Sequence, residues 1–150
     1  MPEWLAEAVV RGAGKHNYYL WAYVFMPEHV HLLVCPQTPE YDMAVYLKSI
    51  KQPVSRRARD WLETDEPDRV SEFMVKHGSR DVFCFWQAGP GYDRNIHSEK
   101  ELPEKILYIH GNPVSRGLVG RPEDWLWSSA AWYAGKRDGP LRVDDCPLAW

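Results

Sequence analysis

His29 and His31 stand two residues apart in the run Trp21-Ala22-Tyr23-Val24-Phe25-Met26-Pro27-Glu28-His29-Val30-His31-Leu32-Leu33-Val34. In an extended chain, alternate side chains share a face. Two neutral imidazoles so placed can turn toward one divalent cation. They can equally be a pair of core or surface histidines. Tyr108 and Asn112 form a second pair, and a spacing of four sets them on one side of a helix end. Taken alone, Tyr108 reads as an aromatic on the core face of an amphipathic helix. Taken with the histidines, it reads as a nucleophile held near a metal. A tyrosine hydroxyl has an ordinary pKa of about 10, so near pH 7 it is a poor nucleophile without help.

Other residues flank these. Glu28 adjoins His29 and assists a metal, orients His29 or only shapes the turn. Gln87 can approach such a site from its strand. Tyr92 is the alternative nucleophile, although packing under Gly89-Pro90-Gly91 is its preferred role. His110 follows Tyr108 by two, so it faces away from it on a helix and is expected at the surface.

Positioning these residues requires strands and helices, and the pattern supplies both. Residues 3–13 read as a helix from Trp4, Leu5, Ala8 and Val9, with Gly12 and Gly14 ending it. Tyr18 to Met26 reads as a strand, Pro27-Glu28 as a tight connection, and His29 to Cys35 as the next strand. Residues 41–62 form a long helix with apolar Met43, Val45, Leu47, Ile50, Val54 and Leu62, interrupted or kinked at Pro53. An acidic loop covers 63–69. Residues 70–76 fit either a strand or a short helix. Val82 to Gln87 reads as a strand, with Tyr92 to Ile96 as its continuation. A further helix runs from about 99 to 111. Ser98 and Glu101 have capping-box form, or Leu102 serves as the cap, and Asn112-Pro113 ends the helix. The tail from Pro122 is irregular and aromatic.

A chain of 150 residues fits one domain over 1–150 with one modest core. Hydrophobic residues make up 45%, which argues against disorder. No apolar run is long enough to span a bilayer, and no signal-peptide pattern is seen. The three cysteines, Cys35, Cys84 and Cys146, lack C-x-x-C spacing and read as reduced thiols of a cytoplasmic protein. The net charge of −3 disfavours broad nucleic-acid binding. Yet Lys48, Lys51, Arg56, Arg57 and Arg59 gather in one stretch, so a local phosphate contact is allowed, as is a merely solvated face.

The block Met26-Pro27-Glu28-His29-Val30-His31-Leu32-Leu33-Val34 resembles the histidine–hydrophobe–histidine signature of single-tyrosine transposases, in particular the REP-associated tyrosine transposases. So do Phe85-Trp86-Gln87, Gly91-Tyr92-Asp93-Arg94-Asn95-Ile96, Ile106-Leu107-Tyr108-Ile109-His110-Gly111-Asn112-Pro113 and Trp125-Leu126-Trp127-Ser128-Ser129. The likeness covers roughly residues 16–133, and the order of the blocks makes it specific.

The resemblance implies an α+β fold in which an antiparallel sheet carries His29 and His31 and helices pack on it, one bearing Tyr108. It implies Tyr108 as nucleophile and Asn112 as the polar residue completing a metal site with His29 and His31. The metal would be Mg²⁺ or Mn²⁺, though two histidines also suit Zn²⁺. The implied activity is transposition: cleavage and strand transfer of single-stranded or hairpin DNA through a 5′-phosphotyrosine. Lys48, Lys51, Arg56, Arg57, Arg94 and Arg116 are candidate phosphate contacts, and a homodimer is compatible with this reading. A non-catalytic hairpin-binding protein and a water-using phosphodiesterase are the alternatives. Members of this family carry a further strand ahead of the helix that begins here near Trp4. The chain is therefore expected to be shortened at its start and to leave one sheet position open.

Overall fold

Tyr18–Phe25 (β1) and Val30–Pro36 (β2) pair antiparallel, with Tyr18 opposite Pro36, Tyr23 opposite Leu32 and Val24 opposite His31. The register shifts between Leu20 and Ala22, which leaves Trp21 as the extra residue of a bulge. The computed structural model describes residues 1–87, 93–96, 98–137 and 139–146. The chain divides into two compact units, one formed mainly by residues 3–12 and 42–94, the other by 13–41 and 95–150. The fold is α+β, as expected.

The second unit holds the β1–β2 pair and the helix Glu101–Ser115, here α3. Ala22, Val24 and Met26 share a buried cluster with Leu102, Ile106, Ile109 and Cys146, and Trp21, Leu33, Ile96, Trp125 and Tyr133 pack around it. The edge of β1 that faces away from β2 is closed by later residues of the same unit. Tyr23 N–H donates to Ser129 Oγ, Ser129 N–H to Tyr23 O, and Phe25 N–H to Trp127 O. Trp125 Nε1 donates to Phe25 O, and Tyr133 OH to Trp21 O. The aromatic tail thus satisfies backbone groups that would otherwise be orphaned in a buried strand. Among the described residues, no strand pairs with the other edge of β2.

The first unit is built on a helix of 23 residues, Met43–Asp65 (α2). Asp42 caps it by accepting from Val45 N–H at 3.0 Å. Its buried residues Tyr46, Ile50, Val54, Ala58 and Leu62 fall at intervals of four. Of the apolar positions expected, Ile50, Val54 and Leu62 are buried, Met43 and Leu47 are half-buried and Val45 is exposed, while Tyr46 and Ala58 complete the stripe. A 3₁₀ segment Pro67–Phe73 follows, then an exposed hairpin of Met74–His77 (β3) and Arg80–Phe83 (β4).

Several boundaries differ from the sequence expectation. The first helix, Pro2–His16 (α1), runs through Gly12 and Gly14 and stops at Asn17, whose φ of 55° places it in the left-handed region. Gly12 serves close packing: a Cβ there would lie 3.1 Å from both Ile50 Cγ1 and Ser49 Oγ. α2 continues through Pro53 and absorbs the start of the acidic segment. β4 covers Arg80–Phe83, not Val82 to Gln87, and Asp93 to Ile96 are irregular. Residues 70–76 divide between the 3₁₀ segment and β3. The tail contributes a short helix, Ala130–Tyr133 (α4). No helix among the described residues is long and apolar enough to cross a membrane.

Candidate active site

The turn between β1 and β2 sets the two histidines. Met26 N–H donates to His29 O at 2.8 Å, closing a tight turn over Pro27 and Glu28. Proline pre-sets its own φ there. His29 therefore lies one residue before β2, not within it, and His31 is the strand's second residue. Their rings nevertheless stay on one side, with centroids 4.8 Å apart and planes at 83°. His29 is exposed and His31 half-buried. Burial holds the His31 imidazole below its ordinary pKa, and the neighbouring His29 adds to this, while a hydrogen bond with the Asn112 side chain opposes it. A neutral imidazole is the form that ligates a metal.

α3 brings Tyr108 and Asn112 to these rings. Leu102, Ile106, Ile109, His110 and Pro113 are buried, so the helix is anchored on that face. Tyr108 is turned outward and is 59% exposed, which removes the core-aromatic reading. Its ring stands at 75° to that of His31, with centroids 5.7 Å apart. Lys105 lies one turn earlier, its Nζ 5.8 Å from the Tyr108 ring centroid. That spacing of three was visible in the sequence, but a lysine on an amphipathic helix carries no signal by itself.

Asn112 does not end the helix, because α3 runs on through Pro113 to Ser115. Proline has no N–H to give to the carbonyl four residues back, that of Ile109. The Asn112 side-chain amide compensates, donating to Ile109 O at 3.5 Å and to Tyr108 O at 2.7 Å. With its nitrogen so committed, the side-chain oxygen is the atom left for His31 or for a cation.

Glu28 and Arg116 meet at 2.8 Å across 88 residues of sequence, joining the β1–β2 turn to the end of α3. Glu28 Oε2 lies 3.9 Å from His29 Nδ1, beyond hydrogen-bond range. Arg116, expected to meet phosphate, is thus held by a carboxylate.

His110 corrects the surface expectation. It is 6% exposed, with Nε2 2.8 Å from Ser129 Oγ and its ring 5.1 Å from that of Tyr133. Burial pushes its pKa down to about 4.

The remaining candidates belong to the first unit. Gln87 is exposed there. Lys48 and Arg56 are exposed on α2, and Lys51 is half-buried with its carbonyl accepting from Trp86 Nε1. Arg57 is bound to Glu7 at 2.6 Å and lies over the Trp4 ring, while Arg59 is bound to Glu63. Arg94 is exposed in an irregular stretch. Tyr92 lies outside the described residues.

No group of three or more His, Cys, Asp or Glu able to hold a metal occurs among the described residues. The set at hand is two imidazoles and one amide. This fits a divalent ion that accepts mixed nitrogen and oxygen donors and keeps further positions for substrate oxygens.

The arrangement is a histidine pair at the β1–β2 hairpin faced by an exposed helical tyrosine, on an α+β scaffold. Comparison with known proteins narrows the class. No protein-family model matches the chain. A Haemophilus influenzae protein whose curated name assigns it provisionally to the REP-associated tyrosine transposases is 28% identical over 110 residues, 72% of this chain. The match spans 56% of that relative, a little over half its length. A solved structure of a REP-associated tyrosine transposase bound to a REP hairpin shares the fold, with a TM-score of 0.64. That alignment has 18% identity and covers 98% of this chain and 71% of the other. In sequence and in fold, the chain is similar to the REP-associated tyrosine transposases.

Proposed function

We propose that the chain is a tyrosine transposase of the REP-associated type: a metal-dependent endonuclease and strand transferase acting on single-stranded or hairpin DNA. The observation that carries this reading is the exposed Tyr108 ring set edge-on to His31, with His29 and Asn112 around it. The DNA partner is carried over from the solved neighbour, which is bound to a REP hairpin.

His29, His31 and Asn112 would hold Mg²⁺ or Mn²⁺, which when bound supplies charge withdrawal from the scissile phosphate. Tyr108 Oη attacks phosphorus in line as the P–O3′ bond breaks. The tyrosyl proton passes to solvent and the departing 3′ oxygen takes one up, leaving a 5′-phosphotyrosine and a free 3′-hydroxyl. The helix face shared by Tyr108 and Asn112 keeps the hydroxyl within reach of the phosphate. Lys48, Lys51 and Arg56 are the α2 cations with side chains uncommitted to acidic partners among the described residues, and they suit backbone phosphates.

The test is covalent trapping. Labelled hairpin DNA and Mn²⁺ are incubated with the chain and resolved on a denaturing gel. The expected result is a shifted band that persists in Tyr92→Phe and disappears in Tyr108→Phe. A band lost in Tyr92→Phe and kept in Tyr108→Phe would overturn the nucleophile. Tight hairpin binding with no adduct would favour a non-catalytic binding protein. Metal-dependent cleavage without an adduct would favour a water-using phosphodiesterase.

A further inference from the structure

Lys105 is half-buried beside Tyr108 and makes no ion pair among the described residues. Arg116, the other cation of α3's end of the site, is matched with Glu28. The Lys105 ammonium has the Tyr108 ring as a neighbour and no carboxylate among the described residues. Its placement is also specific. Tyr108 is flanked on one side by His31 and Asn112, and on the other by Lys105 one helical turn earlier. A phosphate at the tyrosine hydroxyl would meet the histidine–asparagine set on one flank and an ammonium on the other.

We propose that Lys105 is a phosphate-binding residue of this site. Its ammonium contacts a non-bridging oxygen of the phosphodiester that Tyr108 attacks, then holds the resulting phosphotyrosine. This rests on the function proposed above. Lys105 forms no covalent bond. The Tyr108 Oη–P bond forms as P–O3′ breaks, and the proton inventory is unchanged by the lysine. A diester carries one negative charge, and charge accumulates on its equatorial oxygens in the five-coordinate transition state. A fixed ammonium is therefore worth more to attack than to binding.

Two variants test this. Lys105→Met keeps the length and apolar stem without the charge, and Lys105→Arg keeps the charge. Hairpin binding is measured in EDTA across a salt series, and adduct formation is measured under single turnover with Mn²⁺. Circular dichroism confirms that each variant is folded. Lys105→Met is expected to lower the slope of log K against log salt by about 0.9, the loss of one phosphate contact. Its adduct rate should fall by about 10²-fold, a loss typical of removing one electrostatic stabiliser. Lys105→Arg should recover most of both. A salt slope unchanged in Lys105→Met, or an adduct rate within about twofold of wild type, would overturn the proposal. An adduct absent from the wild-type chain would defeat the transposase reading itself, which separates the two failures.

Discussion

Glu28, in the β1–β2 turn, accepts a 2.8 Å hydrogen bond from Arg116, the residue that closes α3. This contact joins the two elements that carry the candidate site, one bringing the histidines and the other Tyr108 and Asn112. Both side chains are more than half exposed, so the pair itself should add at most about 1 kcal/mol to stability. Its effect should be on alignment. Arg116→Ala and Glu28→Ala should each slow adduct formation by about tenfold with little change in unfolding midpoint, because misplacement near 1 Å costs that much or more. The charge-reversed double variant Glu28→Arg with Arg116→Glu should regain part of the loss. Equal rates for the wild type and both single variants would rule out an aligning role.

His31→Ala is expected to abolish metal-dependent cleavage while leaving the fold intact, since His31 lies on a half-exposed strand outside the buried cluster. A cleavage assay with and without EDTA, beside a urea melt, checks both halves. Full activity of this variant in the presence of chelator would sink the metal assignment.

His110 makes stability pH-dependent. Its folded pKa is about 4 against an ordinary 6.5. Between these values the unfolded chain binds a proton that the folded chain does not, so stability rises with pH and falls on acidification. Between pH 7 and pH 5, His110 should contribute a loss of about 2 kcal/mol. Urea unfolding of wild type and His110→Leu at the two pH values measures it. The variant should be less stable at pH 7, because Ser129 loses a partner, but its pH dependence should be shallower. Parallel pH dependences would contradict the burial argument.

Two glycines of one helix should respond in opposite directions. At Gly14 an added Cβ meets nothing within 4 Å, so Gly14→Ala should stabilise by up to about 1 kcal/mol through helix propensity. At Gly12 the added atom meets Ile50 and Ser49 at 3.1 Å, so Gly12→Leu should destabilise by about 1–3 kcal/mol through overpacking. Chemical denaturation of both variants decides it.

The sequence by itself determined the elements whose cause is local. The helical stretch of α2 with Ile50, Val54 and Leu62 inward, the β-rich run of β1 and the proline turn all follow from neighbours within a few residues. So does the one-sided placement of Tyr108 and Asn112. Tertiary structure decided the rest. His110 is buried because α3 lays that face on β1 and Ser129, a partner 19 residues away. α3 passes Pro113 because the Asn112 side chain serves the carbonyl that proline leaves unmet. The edge of β1 is closed by Trp127 and Ser129, whose aromatic, irregular stretch shows no strand period. Gly12 looked like a stop because its reason for being glycine lies on another helix. At Pro113 the contact is local, between neighbouring turns of one helix. For His110, the β1 edge and Gly12 the deciding contact joins residues far apart in sequence, and local spacing carries no record of which distant group will arrive.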